Sequence, residues 1–174
     1  MSLYFVRHGQ TEWNALHRIQ GRNDIPLNEV GKLQAKKTSE LFQDIHIDQI
    51  FCSPLIRAQQ TAQAIQQVCH CPIQIEPSLI ERCFGEQEGK SLNSVEYLWS
   101  FEENLCPGAE DMHAFFHRVQ SFLKRIQPDL QNKNYCIVAH GGVFLPVYDY
   151  FYTVDKHSDL MKIVPPNCTL TKFE

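Results

Sequence analysis

At 174 residues, 43% of them hydrophobic, the chain can bury a core of its own and falls within the range of one domain. A balance of 16 Lys and Arg against 20 Asp and Glu, with the basic residues scattered, argues against a nucleic-acid partner. No apolar run approaches the roughly 18 residues needed to cross a bilayer, and no basic segment precedes the apolar stretch Leu3 to Val6, so neither a membrane span nor a leader is expected. Seven cysteines, an odd number spread through core-like segments, do not read as a disulfide framework and fit a reducing, cytoplasmic compartment. Cys69-His70-Cys71 lacks a second Cys/His pair at zinc spacing, and no metal is expected there.

In chain order, Leu3 to Val6 reads as a buried strand that hands Arg7, His8 and Gly9 to a loop. Asn28 then caps a helix whose apolar face is Val30, Leu33, Ala35, Leu41 and Phe42. Ile47 to Cys52 is a second strand, after which Ser53 is expected to cap a helix with Pro54 in its first turn. A weaker strand, Ile73 to Glu76, precedes the segment Leu79 to Gly89. Glu110-Asp111 starts a helix carrying Phe115, Phe116, Val119, Phe122, Leu123 and Ile126 toward the core. Tyr135 to Ala139 is the clearest strand, ending in His140-Gly141-Gly142, and Thr169 to Phe173 reads as a last, edge strand. This alternation predicts a three-layer α/β/α sandwich with a mostly parallel central sheet.

In such sheets ligands bind beyond the carboxyl ends of the strands, so Arg7-His8-Gly9, Ser53 to Arg57 and His140-Gly141-Gly142 are expected to converge. Two Arg and two His make a donor set suited to a tetrahedral dianion and lack the carboxylate ligands of a metal-dependent site. An imidazole can attack phosphorus when neutral, and flanking guanidinium groups disfavour its protonated form. His8 fits that nucleophile, with Gly9 leaving room for a carbonyl to fix its tautomer. Arg7 and Arg57 are expected to hold phosphate oxygens bidentately, with His140 as a further donor and Gly141 at a close backbone approach to ligand.

Five segments, in order, resemble the histidine phosphatase superfamily, the phosphoglycerate mutase-like proteins, over essentially the whole chain: Leu3 to Asn14; Pro26-Leu27 with Gly31 and Gln34-Ala35; Ser53-Pro54-Leu55 with Arg57-Ala58 and Thr61-Ala62; Glu81 with Phe84-Gly85 and Glu88-Gly89; and Ala139 to Gly142. The resemblance implies the phosphoglycerate mutase-like fold and a phosphohistidine formed on His8. It also implies a phosphate pocket of Arg7, Arg57 and His140, a contact from Asn14, Glu81 as proton donor to the leaving group, and neither metal nor other cofactor. Gln20 and Gly21 fall where family members touch substrate. Arg82 resembles the arginine that contacts a second acidic group in the mutase and bisphosphatase branches, with a solvated surface role as its alternative.

The expected organisation is one domain, 1–174, with a short cap insertion around 90–107. The glycolytic mutases carry longer insertions and a tail that shield the phosphoenzyme, so the short cap favours water as the acceptor. The expected activity is hydrolysis of a small phosphorylated metabolite. The alternatives are a phosphoglycerate mutase, a protein phosphohistidine phosphatase and a non-catalytic phospholigand-binding protein. Specificity is expected to rest on Trp13, Arg22, Arg82, Tyr97 and Trp99, and the sequence carries no signal for oligomeric state.

Overall fold

The computed structural model describes residues 2–94, 99, 101, 106–155 and 159–174. Strand β1, Leu3–Arg7, is followed by a single helical turn, α1, Glu12–Ala15, and by helix α2, Glu29–Glu40. Strand β2, Gln49–Cys52, leads into α3, Ile56–Cys69, and then β3, Ile73–Ile75. Helix α4, Met112–Ile126, strand β4, Tyr135–Ala139, helix α5, Gly141–Tyr152, and strand β5, Leu170–Phe173, complete the described elements. The sheet order is β3-β2-β4-β1-β5, parallel throughout except for the antiparallel edge strand β5.

Strand side chains alternate between faces, and two cores result. Phe5, Tyr135, Ile137 and Ala139 pack with the apolar stripe of α4 and with α5, whereas Val6, Ile50, Cys136 and Val138 pack with Ala58, Ala62 and Ile65 of α3. The expected three-layer sandwich is what forms. All seven cysteines are unpaired thiols. Burial pushes the Cys52 thiol up to about 12 and Cys136 well above its ordinary value, so both pack as small apolar groups.

Two local expectations are corrected. On α2, Val30, Leu33 and Leu41 are exposed, while Gly31, Ala35, Thr38 and Ser39 are buried and Phe42 follows the helix into the second core. The helix docks against main chain: Asn28 Oδ1 accepts from Gly31 N, and a Cβ on Gly31 would stand 2.0 Å from Gln10 O. Contact that close requires small residues and overrides the apolar periodicity. At α3, Ser53 is not the cap and Pro54 lies before the first turn; Leu55 holds the cap position without a side-chain bond. Asp24 Oδ1, from a remote loop, accepts from Ile56 N at 2.6 Å instead. Ser53 Oγ is engaged by His140, as described below.

The segment 90–107, expected to form a cap, is described only in part. Bridges Phe84↔Ala109 and Arg18↔Ser91 tie down its two ends. Tyr97 lies outside the described residues.

Candidate active site

The register Arg7↔Ala139 brings the ends of β1 and β4 level, so the next residue of each, His8 and His140, stand side by side with ring centroids 5.2 Å apart. His8 N extends the ladder to Ala139 O at 2.9 Å. His8 is buried and its Nδ1 lies 2.7 Å from Gly9 O. A carbonyl only accepts, so Nδ1 carries the hydrogen and Nε2 of the neutral ring keeps its lone pair. Burial first, then the cations of Arg57 and Arg7, hold His8 well below its ordinary value, so it is neutral at pH 7. Gly9 is required for a reason other than the one expected: a Cβ there would stand 2.5 Å from Gly31 O, so glycine lets α2 lie against this loop. Gly9 N donates to Thr61 Oγ at 3.1 Å, which itself donates to Arg57 O at 2.8 Å, joining the loop to α3.

Arg57, 1% exposed, donates from one terminal nitrogen to Asn23 O at 2.7 Å, from the other to Gly21 O at 2.8 Å, and from Nε to His140 Nδ1 at 3.3 Å. Three of its five N–H groups are thus held by protein, leaving one hydrogen on each terminal nitrogen. Burial lowers it to about 10, and it remains a cation at neutral pH. Arg7 donates from one terminal nitrogen to Pro165 O at 2.8 Å, while its buried Nε has no partner. An unpaired buried guanidinium N–H in the cavity wall favours an anionic ligand.

His140 accepts from Arg57 at Nδ1, so its hydrogen lies on Nε2, 2.6 Å from Ser53 Oγ. Both ring nitrogens face protein, and the cavity wall at this strand end is formed by Gly141 and Gly142. In this structure His140 therefore backs the site and orients Arg57. The two glycines make room for side chains: a Cβ on Gly141 would stand 3.3 Å from Arg7 Cζ, and one on Gly142 2.3 Å from Glu81 Oε1.

Glu81 enters from the loop beyond β3. Its Oε1 accepts from Arg82 N at 2.8 Å and its Oε2 from Gly142 N, in the first turn of α5, at 3.0 Å. Burial raises its pKa above the ordinary carboxylate value, against the opposing pull of those two N–H groups, Arg57 and Arg7. The main chain here is clamped by residues that sequence reasoning did not single out as a group. Glu81 O accepts from Arg118 at 3.2 Å and from Arg22 Nε at 3.3 Å. Arg118 also reaches Ser78 O at 2.6 Å and forks onto Glu110 at 2.7 and 3.0 Å. Arg82 is neither solvated nor in the cavity wall. It is 3% exposed, donates from Nε to Glu110 O at 2.8 Å and lies over the Phe84 ring at 5.4 Å.

The cavity, of about 90 Å³, is lined by Arg7, His8, Asn14, Gln20, Gly21, Arg57, Glu81 and Gly141 among the expected residues. Thr11 arranges two of them: its N–H donates to Asn14 Oδ1 at 3.1 Å and its hydroxyl to Gln20 Oε1 at 2.9 Å. The wall also includes Arg18, Ile19, Phe84, Leu92, Met161 and Val164, unforeseen from sequence, together with Trp99. Trp13, expected at the specificity loops, is not among these lining residues; its ring end faces Gly89 instead.

The sequence model of the histidine phosphatase superfamily (branch 1) matches residues 3–174. The chain belongs to the histidine phosphatase superfamily. Within it, the chain is 38% identical over 137 residues to an uncharacterized phosphatase, PhoE, of Bacillus subtilis, covering 79% of this chain and 70% of that protein. It is 35% identical over 150 residues to a probable phosphoglycerate mutase, GpmB, of an Enterobacter species, covering 81% and 70% respectively. Among solved structures, the α-ribazole phosphatase from Shigella flexneri superposes with a TM-score of 0.85 at 26% identity, covering 99% of this chain and 89% of that one. A mycobacterial glucosyl-3-phosphoglycerate phosphatase superposes at 0.86 with 22% identity over 98% and 91%, a likeness of fold. The Bacillus subtilis and Shigella flexneri relatives, both named as phosphatases, support phosphatase activity. No helix among the described residues is long and apolar enough to cross a membrane.

Proposed function

We propose that this chain, folded as one domain with a cap around 90–107, hydrolyses the phosphate monoester of a small cytoplasmic metabolite through a phosphohistidine on His8, without a metal. The observation that carries the reading is the His8 ring: neutral, with Nδ1 bound to Gly9 O and the Nε2 lone pair left over, between two guanidinium groups. The Nε2 lone pair attacks phosphorus, forming the P–N bond as the ester P–O bond breaks. Glu81, its pKa raised by burial, gives its proton to the departing oxygen. Water then attacks the phosphohistidine, Glu81 takes back a proton, and inorganic phosphate leaves with neutral His8 restored. Arg7 and Arg57 offset charge on the equatorial oxygens, while Asn14, Gln20, Gly21 and Gly141 line the substrate space.

Metal independence is supported by the donor set, since the carboxylate of Glu81 is already bound by Arg82 N and Gly142 N. Seven unpaired thiols support a reducing compartment. Rapid acid and alkaline quenches after mixing with labelled substrate test the mechanism. The label should be acid-labile, base-stable and lost in His8→Ala, and turnover should be unchanged by chelators. A phosphate stable to acid, or turnover that needs a divalent ion, refutes the reading.

The likeness to a probable phosphoglycerate mutase favours transfer between substrate oxygens as the second reading. Isomerisation of 3-phosphoglycerate with a bisphosphoglycerate primer, faster than phosphate release, would establish it in place of hydrolysis.

A further inference from the structure

We infer that the alcohol released at this site is apolar and flat: the ester carries a hydrocarbon or aromatic body beyond its ester oxygen, and no second phosphate or carboxylate. This rests on the phosphatase reading above. Beside Arg7, His8, Arg57 and Glu81, the cavity wall carries six apolar side chains, Ile19, Phe84, Leu92, Trp99, Met161 and Val164, against three polar ones, Asn14, Arg18 and Gln20. Phe84 and Trp99 meet edge to face, centroids 5.2 Å apart at 88°, and form a firm aromatic corner. The phosphate-facing groups and this wall line one cavity, so the body of an ester held there lies against these side chains. A hydroxylated or charged body would lose water there without regaining its hydrogen bonds.

A second anionic group is held best by a forked donor, and Arg22, Arg82 and Arg118 are turned elsewhere. Arg82 is held by Glu110 O and stacked on Phe84, Arg22 spans Glu110 and Glu81 O, and Arg118 grips Glu110, Ser78 O and Glu81 O. Among the described lining residues, Arg18 is the exposed cation, and solvent and salt screen an ion pair made there. One polar feature remains on the apolar side: the buried Nε1–H of Trp99 has no acceptor, which suits a single oxygen or ring nitrogen on the ligand body.

The experiment compares alkyl esters with similar leaving alcohols, so that chemistry does not mask recognition. Values of kcat/KM are measured for 2-phenylethyl phosphate, glycerol 3-phosphate, glucose 6-phosphate and 3-phosphoglycerate. Burial of a phenyl ring's apolar surface is expected to favour 2-phenylethyl phosphate by at least about tenfold. Leu92→Gln and Met161→Gln, at partly exposed positions that tolerate polar side chains, should each reduce that preference. Binding is read separately by titration calorimetry, where benzylphosphonate should bind at least about tenfold more tightly than phosphonoacetate. Equal kcat/KM values, a preference for the sugar phosphate or phosphoglycerate, or tighter binding of phosphonoacetate overturns the inference while leaving the phosphatase reading intact. Failure of the phosphatase reading shows differently, as no phosphate released from any ester and no label on His8.

Discussion

Replacing Gly142 by alanine sets a methyl group 2.3 Å from Glu81 Oε1 and 2.7 Å from the Trp99 ring end. Ordinary contact begins near 3.4 Å, so the carboxylate must retreat by 3.4 − 2.3, about 1.1 Å, while its other bond, to Arg82 N, resists the move. A misplacement of about 1 Å at a reacting group lowers the rate by about 100-fold. The loss should depend on how much help the leaving oxygen needs. With 2-phenylethyl phosphate, whose alkoxide must be protonated, kcat is expected to fall by about 100-fold. With p-nitrophenyl phosphate, whose phenoxide leaves unaided, the first-turnover release of phenoxide, before water attacks the phosphohistidine, should slow by less than about fivefold. In the helix, alanine for glycine adds up to about 1 kcal/mol of intrinsic propensity, so the thermal midpoint should change little and unfolding does not explain the loss. Rapid-mixing measurement of the first turnover beside steady-state kcat on the two esters, with a thermal melt of each protein, is the assay. Unchanged kcat on the alkyl ester, or an equal loss in first-turnover rate on both, would refute the assignment of Glu81 as the proton donor.

Arg118→Leu frees the Glu81 main chain and leaves the partly buried Glu110 carboxylate with Arg22. The alkyl ester should lose about tenfold in first-turnover rate and the aryl ester much less, measured in the same kinetic series; equal first-turnover losses would show a purely structural residue. Ser53→Ala strips the acceptor from the buried Nε2–H of His140 and should lower stability by about 1–3 kcal/mol, read from the denaturant midpoint. An unchanged midpoint would contradict the assigned tautomer. In the pH profile, His8 stays neutral as pH falls through 6.5 because its pKa lies well below that, so kcat should show no acid limb there. Glu81 must hold a proton to donate it, so kcat on alkyl esters should fall as pH rises through its raised pKa, and Glu81→Gln should lack that limb. An acid limb near 6.5 in kcat would refute the neutral-nucleophile reading.

What the sequence revealed best was whatever depends on near neighbours along the chain. Apolar runs ending in polar residues marked β1, β2 and β4, and their carboxyl ends did bring His8, Arg57 and the His140 segment together. The start of α3 was misread because the Ser53 hydroxyl is taken by His140, 87 positions away, and the helix is capped by Asp24 from another loop. The α2 face was misread because glycine against main chain leaves no periodic trace. Arg118 carried no signal in the sequence, and only the fold shows its hold on Ser78, Glu81 and Glu110. Glu81 itself was legible only through family resemblance, because nothing local marks a loop carboxylate for burial.

The two halves of the site are built on different foundations. His8 stands at the end of an interior strand, its loop braced by β4, Thr61 and the backbone of α2, whereas Glu81 and the aromatic corner hang from loops pinned by side chains. A mutation in those loops can alter which alcohol is accepted, or how readily it departs, without disturbing the ring that takes the phosphoryl group. The scaffold thus separates what selection can revise cheaply from what it must keep, and new substrates can be acquired one loop residue at a time.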